Sequence, residues 1–551
     1  CNPNSVDGDT EATRLVLSAV LPSAFQIDYE GSSVYDSALI VSAELQSDNP
    51  QTVVYTINPK AVWSDGVPIT ASDFIYAWHE QRALQPGQPG DSVVSTAGYD
   101  DIFSMTPSHR GRMLTVVFST PYGDWQRLFN DLLPAHVLAK KGWDPHCTTV
   151  DPAIDLSGGP FEIGSVAPDS VVLVRNPRWW GSPAKADRIV IRFATSSTQL
   201  STWLARGVVD VVAPSYFDPA FLAAVSSIQS TKSSVGISDT FLEMEFSMDG
   251  ALTSQTAIRQ GIAYGIDRQE LVDKVVGSLD AAIAPSSSHL YSQAQSAYPS
   301  SPVPVPANAT TTPTSTTTTT TVPQSTTTTT PITSKTFPLT ADPLAQARAL
   351  TSAGYSRNLY GTWIGPSNHP LSIRLGFDGS DGWAAQTADL VAAQLDAEGI
   401  SVDAVEEPDA AATGEALSQA TTDIAILPLP ATPYVSQTAS WYTPLLDQPG
   451  QAGDRDSSGY VSTYVDDLFQ SASTDLDPAL AAPTYAEIDQ RLWTDMVALP
   501  LFAEPDALAF SDYVTGMALG PYRSGLLSSV LDWARLVREP TSYRGTPRLR
   551  A

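Results

Sequence analysis

A mixed α/β fold (α+β in character), divided among more than one domain, is what this sequence predicts, and three observations carry the prediction. At 551 residues the chain exceeds what one hydrophobic core organises. Runs of strand periodicity alternate with runs of helical periodicity along most of its length. Caps and turn residues separate the two kinds of run.

The elements follow in order. The β-branched and aromatic run Val53–Ile57 reads as a strand that leads into a Trp63-Ser64-Asp65-Gly66 turn. Thr70 and Asp73 stand three apart, as in a capping box, and Phe74, Ala77 and Trp78 follow at helical spacing. Leu114–Phe118 is a strand ended by Pro121. Val171–Val174 and Ile189–Phe193 are strands on either side of a Trp179-Trp180 turn. Ile258, Ile262 and Ile266, with Leu271, Val272 and Val275, predict an amphipathic helix or helix pair ending at Gly277. Trp383–Glu398 is a helix stopped by Gly399, with Leu390, Val391 and Leu395 inward, and the strand Ile400–Val405 follows at once. Tyr485, Ile488, Leu492 and Met496 mark a late helix before the apolar strand Leu499–Ala503. Helices that join strands in this way imply mixed sheets with helical faces.

Bulk composition narrows the function. Apolar content is 42%, that of an ordinary globular protein, and no apolar run has the roughly 18 residues that a membrane span needs. Thirty basic side chains stand against fifty-nine acidic ones, a net charge of −29 that repels phosphate backbones and argues against a nucleic-acid partner. The acid excess reads as a solubility device rather than a cation-recruiting one. Residues 300–336 are Ser, Pro and Thr with two unbroken threonine runs, a composition that buries no core and predicts a disordered loop. Cys1 and Cys147 are too few for a disulfide scaffold or a metal knuckle.

Catalytic patterns fail one after another. Six histidines are scattered, and His79-Glu80 lacks its second zinc ligand because Ala83 stands at the fourth position on. Gly365-Pro366-Ser367-Asn368-His369 breaks a nucleophile elbow at its final glycine. No Gly-Lys-Ser/Thr phosphate loop exists. Asp454-Arg455-Asp456 opens like a calcium loop, yet Val465 occupies the place of the bidentate Glu. The expectation is a binder, not an enzyme, with no cofactor and no metal.

Several motifs carry a resemblance. Ala61–Trp78 (AVWSDGVPITASDFIYAW), Gly158-Gly159-Pro160-Phe161, Arg175-Asn176-Pro177-Arg178-Trp179-Trp180, Ile258–Arg268 (IRQGIAYGIDR) and Gln346–Tyr355 (QARALTSAGY) occur in the order found in one family. The chain resembles the large extracytoplasmic solute-binding proteins of the peptide/nickel class (family 5 type), which feed ABC importers. That resemblance implies a two-lobed, periplasmic-binding-protein-like clamshell of type II with an extra subdomain in its first lobe. By analogy, residues 1–250 form the first lobe, with the subdomain at about 45–160. Residues 251–504 form the second lobe and contain the 300–336 loop, and residues 505–551 return to the first lobe and form the tail. Trp63, Trp78, Trp179 and Trp180 lie in the shared motifs and read as structural.

The resemblance also implies a site. Family pockets draw on the segment near Leu21–Phe25, on the strand ending Phe246-Ser247, on the start of the Trp383 helix and on the loop after Asp423. The expected ligand-binding residues are therefore Ser23, Phe25, Ser247, Trp383, Leu429, Thr432, Tyr434 and Trp441. Peptide binders of the family place an acid in the last of these loops, where it holds the ligand's α-ammonium by charge-assisted hydrogen bonds. Here Asp423 is followed by IAILPLPATPY, with no acid up to Tyr434. A buried ammonium without a partner costs on the order of several kcal/mol, so this loop favours a less charged ligand. The implied partners are a small-molecule or peptide-like ligand and the transmembrane subunits of an ABC permease, with the protein monomeric and peripheral to the membrane. Cys1 carries two readings, a lipid anchor or a disulfide with Cys147, and both put the protein outside the cytoplasm at the bacterial cell envelope. Leu21-Pro22-Ser23-Ala24-Phe25, the missing acid and the Ser/Thr/Pro insertion also resemble an LpqW-like branch of the same fold. That branch acts as a non-transport sensor or scaffold in cell-envelope assembly, and it is the alternative function.

Overall fold

In the computed structural model the described residues are 2–5, 8, 10–27, 33–82, 93–141, 156–279, 282–295, 297–299, 304–305, 335–431, 434–443, 456–517 and 523–536. Cys1, Cys147, Thr432 and nearly all of the Ser/Thr/Pro-rich segment lie outside them. Three sheets organise the rest. The first is antiparallel, in the order β1-β2-β4-β3, from β1 (Ile40–Asp48), β2 (Gln51–Ile57), β3 (Ile102–Ser108) and β4 (Met113–Phe118). The second is the antiparallel meander β5 (Phe161–Ala167), β6 (Ser170–Arg175) and β7 (Arg188–Arg192).

The third sheet has six strands. They are β8 (Val211–Val212), β9 (Thr231–Phe246), β10 (Ser372–Asp378), β11 (Ser401–Glu407), β12 (Ile424–Pro430) and β13 (Ala498–Ser511). Their order is β8-β13-β9-β12-β10-β11; β10 runs parallel to both neighbours, and the remaining pairs are antiparallel.

Helix α1 (Ala71–Gln81) begins as the sequence predicts. Asp73 Oδ2 accepts the Thr70 N–H at 2.8 Å, and the Thr70 hydroxyl accepts the Ser72 N–H at 3.3 Å. The same carboxylate reaches further than a cap requires. Its other oxygen accepts the Trp63 indole N–H and the Ala135 N–H, which ties the turn, the helix and a second helix start to one buried group. The isoleucine series splits into α2 (Thr256–Tyr264) and α3 (Arg268–Val275), because Asp267 caps the second helix by accepting the Glu270 N–H. Helix α4 (Gly382–Ala397) precedes β11, and α5 (Thr463–Thr474) and α6 (Pro478–Asp495) pack together before β13.

The predicted strand Leu499–Ala503 is only the opening of β13, which has 14 residues. Prolines within it invite an early stop, but Pro500 and Pro505 fall where the β9–β13 register slips, so the missing N–H groups break no regular ladder.

Apolar side chains collect into two large cores. One runs from Val16 to Ala184 and is joined by Leu527, Val530 and Trp533. The other draws on Leu204 to Ala509, with a satellite around α5 and α6. Either end of the threonine-rich segment is pinned: Pro304 pairs with Thr336 and Val305 with Lys335, antiparallel.

Candidate functional site

The floor of the site is built by stitching Leu21–Phe25 to the 129–132 loop. The Ala24 N–H donates to the Phe129 carbonyl at 3.0 Å, and the Leu132 N–H to the Pro22 carbonyl at 2.9 Å. The Asp131 N–H donates to Ser23 Oγ at 2.9 Å, and the Phe25 N–H to Asn130 Oδ1 at 3.2 Å. Phe129 and Asp131 hold φ of 64° and 48°, left-handed values that cost a non-glycine residue about 1 kcal/mol or more each. Aromatic packing offsets the strain at Phe129, whose ring lies 5.2 Å from Phe74, 5.4 Å from Tyr55 and 5.7 Å from Tyr99, centroid to centroid. The Tyr99 hydroxyl, pushed up to about 12 by burial, accepts the Phe129 N–H at 2.9 Å.

The facing wall comes from the other core. Beyond β12 the chain turns through Tyr434–Gln437 and meets the first core directly. The Tyr434 hydroxyl lies 2.8 Å from Ser33 Oγ and 3.2 Å from the Gln126 carbonyl. The Ser436 N–H donates to Asp124 Oδ2 at 3.1 Å, and the Gly123 N–H donates to the Ser473 carbonyl at 2.6 Å. The two bodies are therefore shut along this seam.

Beside the seam lies a cavity of about 990 Å³. Its polar lining is rich in side-chain amides and hydroxyls, among them Asn4, Gln26, Asn58, Asn130 and Gln437, and Phe25, Trp179 and Tyr434 supply aromatic surface. Charges of both signs reach it from Arg14, Lys60, Asp36 and Asp131. Burial holds the Asp36 carboxyl above its usual range, against the opposing Ala38 N–H bond. A volume of this size with convergent amides suits a polar organic solute.

The structure brings Ser23, Phe25 and Tyr434 together at this cavity. It places Trp383, Leu429, Trp441 and Ser247 elsewhere, and Thr432 lies outside the described residues. Trp383 is buried in the second core, edge-on to Tyr216 and Phe217 at 4.8 and 5.5 Å. Leu429 packs with Phe241 and Ala503, and Trp441 leans half-buried on that cluster. Ser247 is buried at the end of β9, its N–H bonded to the Asp423 carbonyl. The apolar stretch after Asp423 is strand core, since Leu427 and Leu429 are 4% and 1% exposed. Asp423 itself is engaged, paired through both oxygens with Arg374 at 2.9 and 3.1 Å.

The shared motifs turn out to brace the fold. Gly159 is tight because a Cβ there would come within 2.6 Å of the Ala19 carbonyl, and its own carbonyl accepts from Asn176. Arg268 is fully buried and spends its guanidinium on the carbonyls of Ser286, Pro500 and Pro338. The Phe337 and Trp493 rings lie at 5.6 and 5.3 Å from it. Arg259 does the same for Thr253 and Met496.

Sequence reasoning missed a buried polar set in the second body. Glu243 and Glu245 alternate on β9, and the Tyr442 hydroxyl donates to Glu243 Oε2 at 2.8 Å. The His289 ring lies 2.8 Å from Asp489 Oδ1 and 3.2 Å from the Ala498 carbonyl. Two acids inside the apolar strand Phe241–Phe246 were the available signal. Among the described residues no group of three or more His, Cys, Asp or Glu is placed to hold a metal. No described helix is long and apolar enough to cross a membrane.

Two cores that meet along a seam, with a solute-sized cavity beside it that Tyr434 and Gln437 close from the second body, define a two-lobed α/β binding protein of the clamshell type. The chain belongs to the bacterial extracellular solute-binding proteins, family 5, whose pattern (described as family 5 Middle) matches residues 36–450. The fold is that of the solved periplasmic EDTA-binding protein EppA, with a TM-score of 0.81 at 24% identity over 97% of this chain and 94% of that one. Among curated relatives, the probable monoacyl phosphatidylinositol tetramannoside-binding protein LpqW of Mycobacterium tuberculosis is 29% identical over 55% of this chain and 46% of its own length. The oligopeptide-binding protein OppA of the same species is 30% identical over 53% and 49%. The chain thus spans about half the length of these curated relatives.

Proposed function

We propose that the protein captures a small polar organic solute, peptide-like or another oligomer, in the cavity between its lobes and delivers it to an ABC permease, without transforming it. The observation that carries this reading is the 990 Å³ cavity beside a seam whose contacts come from both bodies. A solute that touches both lobes favours the shut arrangement by its differential affinity, and the shut form is what a permease can distinguish from the empty one. Family membership and the likeness to OppA support import.

The LpqW-like sensor or scaffold is the second reading. It is favoured by the relative named for a mannoside, because amides with aromatic surface also suit a polyhydroxylated ligand. Thermal shifts over peptide and glycan libraries, with small-angle X-ray scattering on each hit, test both readings. A solute that raises Tm and shrinks the particle is expected. If no solute does either, capture is refuted. If glycans alone succeed and reconstituted permease does not respond, the scaffold reading takes over.

A further inference from the structure

One corner of the large cavity is built by the first body alone. Three turns meet there, at residues 36–38, 58–60 and 179–182, and each contributes to the lining. Hydrogen bonds sew them together. The Trp180 indole N–H donates to the Ala38 carbonyl at 2.6 Å, and Asn58 Nδ2 donates to the Ser37 carbonyl at 3.3 Å. Asp36 holds its own turn by accepting the Ala38 N–H at 2.8 Å through one oxygen, and Gln26 Nε2 donates to the other at 3.3 Å. Asn58 Oδ1 accepts the Lys60 N–H at 3.0 Å.

The two indoles in this corner are locked in place. The Trp179 N–H donates to the Ser182 carbonyl at 2.8 Å, which folds the ring back across its own turn. Gly181 makes the room, since a Cβ there would stand 2.5 Å from the Trp179 ring. The Trp179 and Trp180 rings lie 4.8 Å apart, centroid to centroid, at 45°, and both are half-buried and line the cavity. Each N–H is spent on a protein carbonyl, so what the rings offer a solute is their π surface. That surface is bent, which suits a puckered ring better than a flat one. A pyranose brings a face of C–H groups whose positive hydrogens match the negative face of an indole. Its rim of hydroxyls needs donors and acceptors at once. Asp36 accepts, Lys60 donates, Gln26 and Asn58 do both, and Ser37 and Ser182 add hydroxyls.

We propose that this corner is a pyranose subsite: one sugar ring of the solute lies against Trp179 and Trp180 with its hydroxyls on Asp36, Asn58 and Lys60, and the captured solute is a glycan. The inference rests on capture as described under Proposed function and supplies the class of solute. The second body adds Tyr434 and Gln437 to the lining. A glycan long enough to reach them from the corner touches both bodies.

Calorimetry and tryptophan fluorescence on the full chain test this with mannotriose, maltotriose and cellotriose, set against trialanine. At least one trisaccharide is expected to bind and to shift the tryptophan emission. Its affinity should fall about tenfold in Trp179→Ala and about threefold in Lys60→Ala, and Trp179→Phe, which keeps an aromatic face, should recover part of the loss. Lys60 is exposed, so its truncation reads the subsite without disturbing the core, and circular dichroism checks the fold of each variant. Absence of binding by all three trisaccharides, or affinity within about twofold of the parent in both Trp179→Ala and Lys60→Ala, overturns the subsite. Scattering separates this from capture itself. Trialanine that binds and shrinks the particle while no trisaccharide does leaves capture standing and removes the subsite, whereas a particle that neither sugar nor peptide shrinks removes capture.

Discussion

Gly123→Ala probes lobe closure at a residue that does not line the large cavity. A Cβ at Gly123 would stand 2.2 Å from the Asp475 carbonyl oxygen and 3.3 Å from that of Ser473. A carbon–oxygen contact needs about 3.3 Å, so the seam must open by about 1 Å to admit one methyl. That opening stretches the Gly123–Ser473 bond from 2.6 Å and the Ser436–Asp124 bond from 3.1 Å beyond useful geometry. One neutral and one charge-assisted hydrogen bond are together worth about 2–3 kcal/mol net. The shut state should weaken by that amount, and solute affinity should fall by roughly 30- to 150-fold. The unliganded protein pays nothing for the methyl once open, so its Tm should stay within about 2 °C of the parent. Calorimetry of the best library solute measures the affinity, and scattering with and without that solute measures closure. A variant that binds within threefold of the parent and shrinks equally on binding refutes the claim that these contacts hold the lobes shut.

Other expectations concern stability. Burial pushes the Glu245 carboxyl up to about 7 from its ordinary 4.5, reinforced by Asp456 and opposed by the Ser457 hydroxyl. A raised carboxyl stabilises the fold fully below the unfolded value and loses that contribution as pH rises through the folded one, a change on the order of 3 kcal/mol for this group. Glu245→Gln keeps an acceptor for Ser457 and should flatten the decline; urea midpoints that fall equally from pH 5 to pH 8 in both proteins would contradict this. Arg268→Met leaves two buried carbonyls and the part-buried one of Pro338 without their donor and should cost roughly 3–5 kcal/mol in urea unfolding. A cost below about 1 kcal/mol would show that the guanidinium bonds are dispensable.

The fold was legible where local chemistry and global packing agree. Thr70 and Asp73 announce α1 by a spacing of three, and the cap forms with that geometry. The isoleucine ladder announces α2 and α3, although the break at Asp267 depends on a side-chain cap that periodicity alone does not reveal. The apolar run Leu499–Ala503 marks only the opening of β13, because Glu504, Pro505 and Asp506 interrupt the apolar pattern and only pairing with β9 carries the strand past them.

The site was half legible. Ser23, Phe25 and Tyr434 reach the large cavity, but Trp383 and Leu429 turn into cores, because one residue's step along a strand or helix decides which face it presents. Asp124 escaped notice altogether. It lies in a short irregular stretch with no motif, and its importance arises from a contact with Ser436, 312 positions away.

Pro304-Val305 and Lys335-Thr336 pair as two adjacent strands, so these two points of the chain stand about 5 Å apart, a doorway between them. Length there is nearly free, since each doubling of a closed flexible loop costs only about 0.6 kcal/mol. A fluorescent reporter with neighbouring termini could be spliced through that doorway and leave the cavity as it is, which turns the molecule into a sensor of its own cargo.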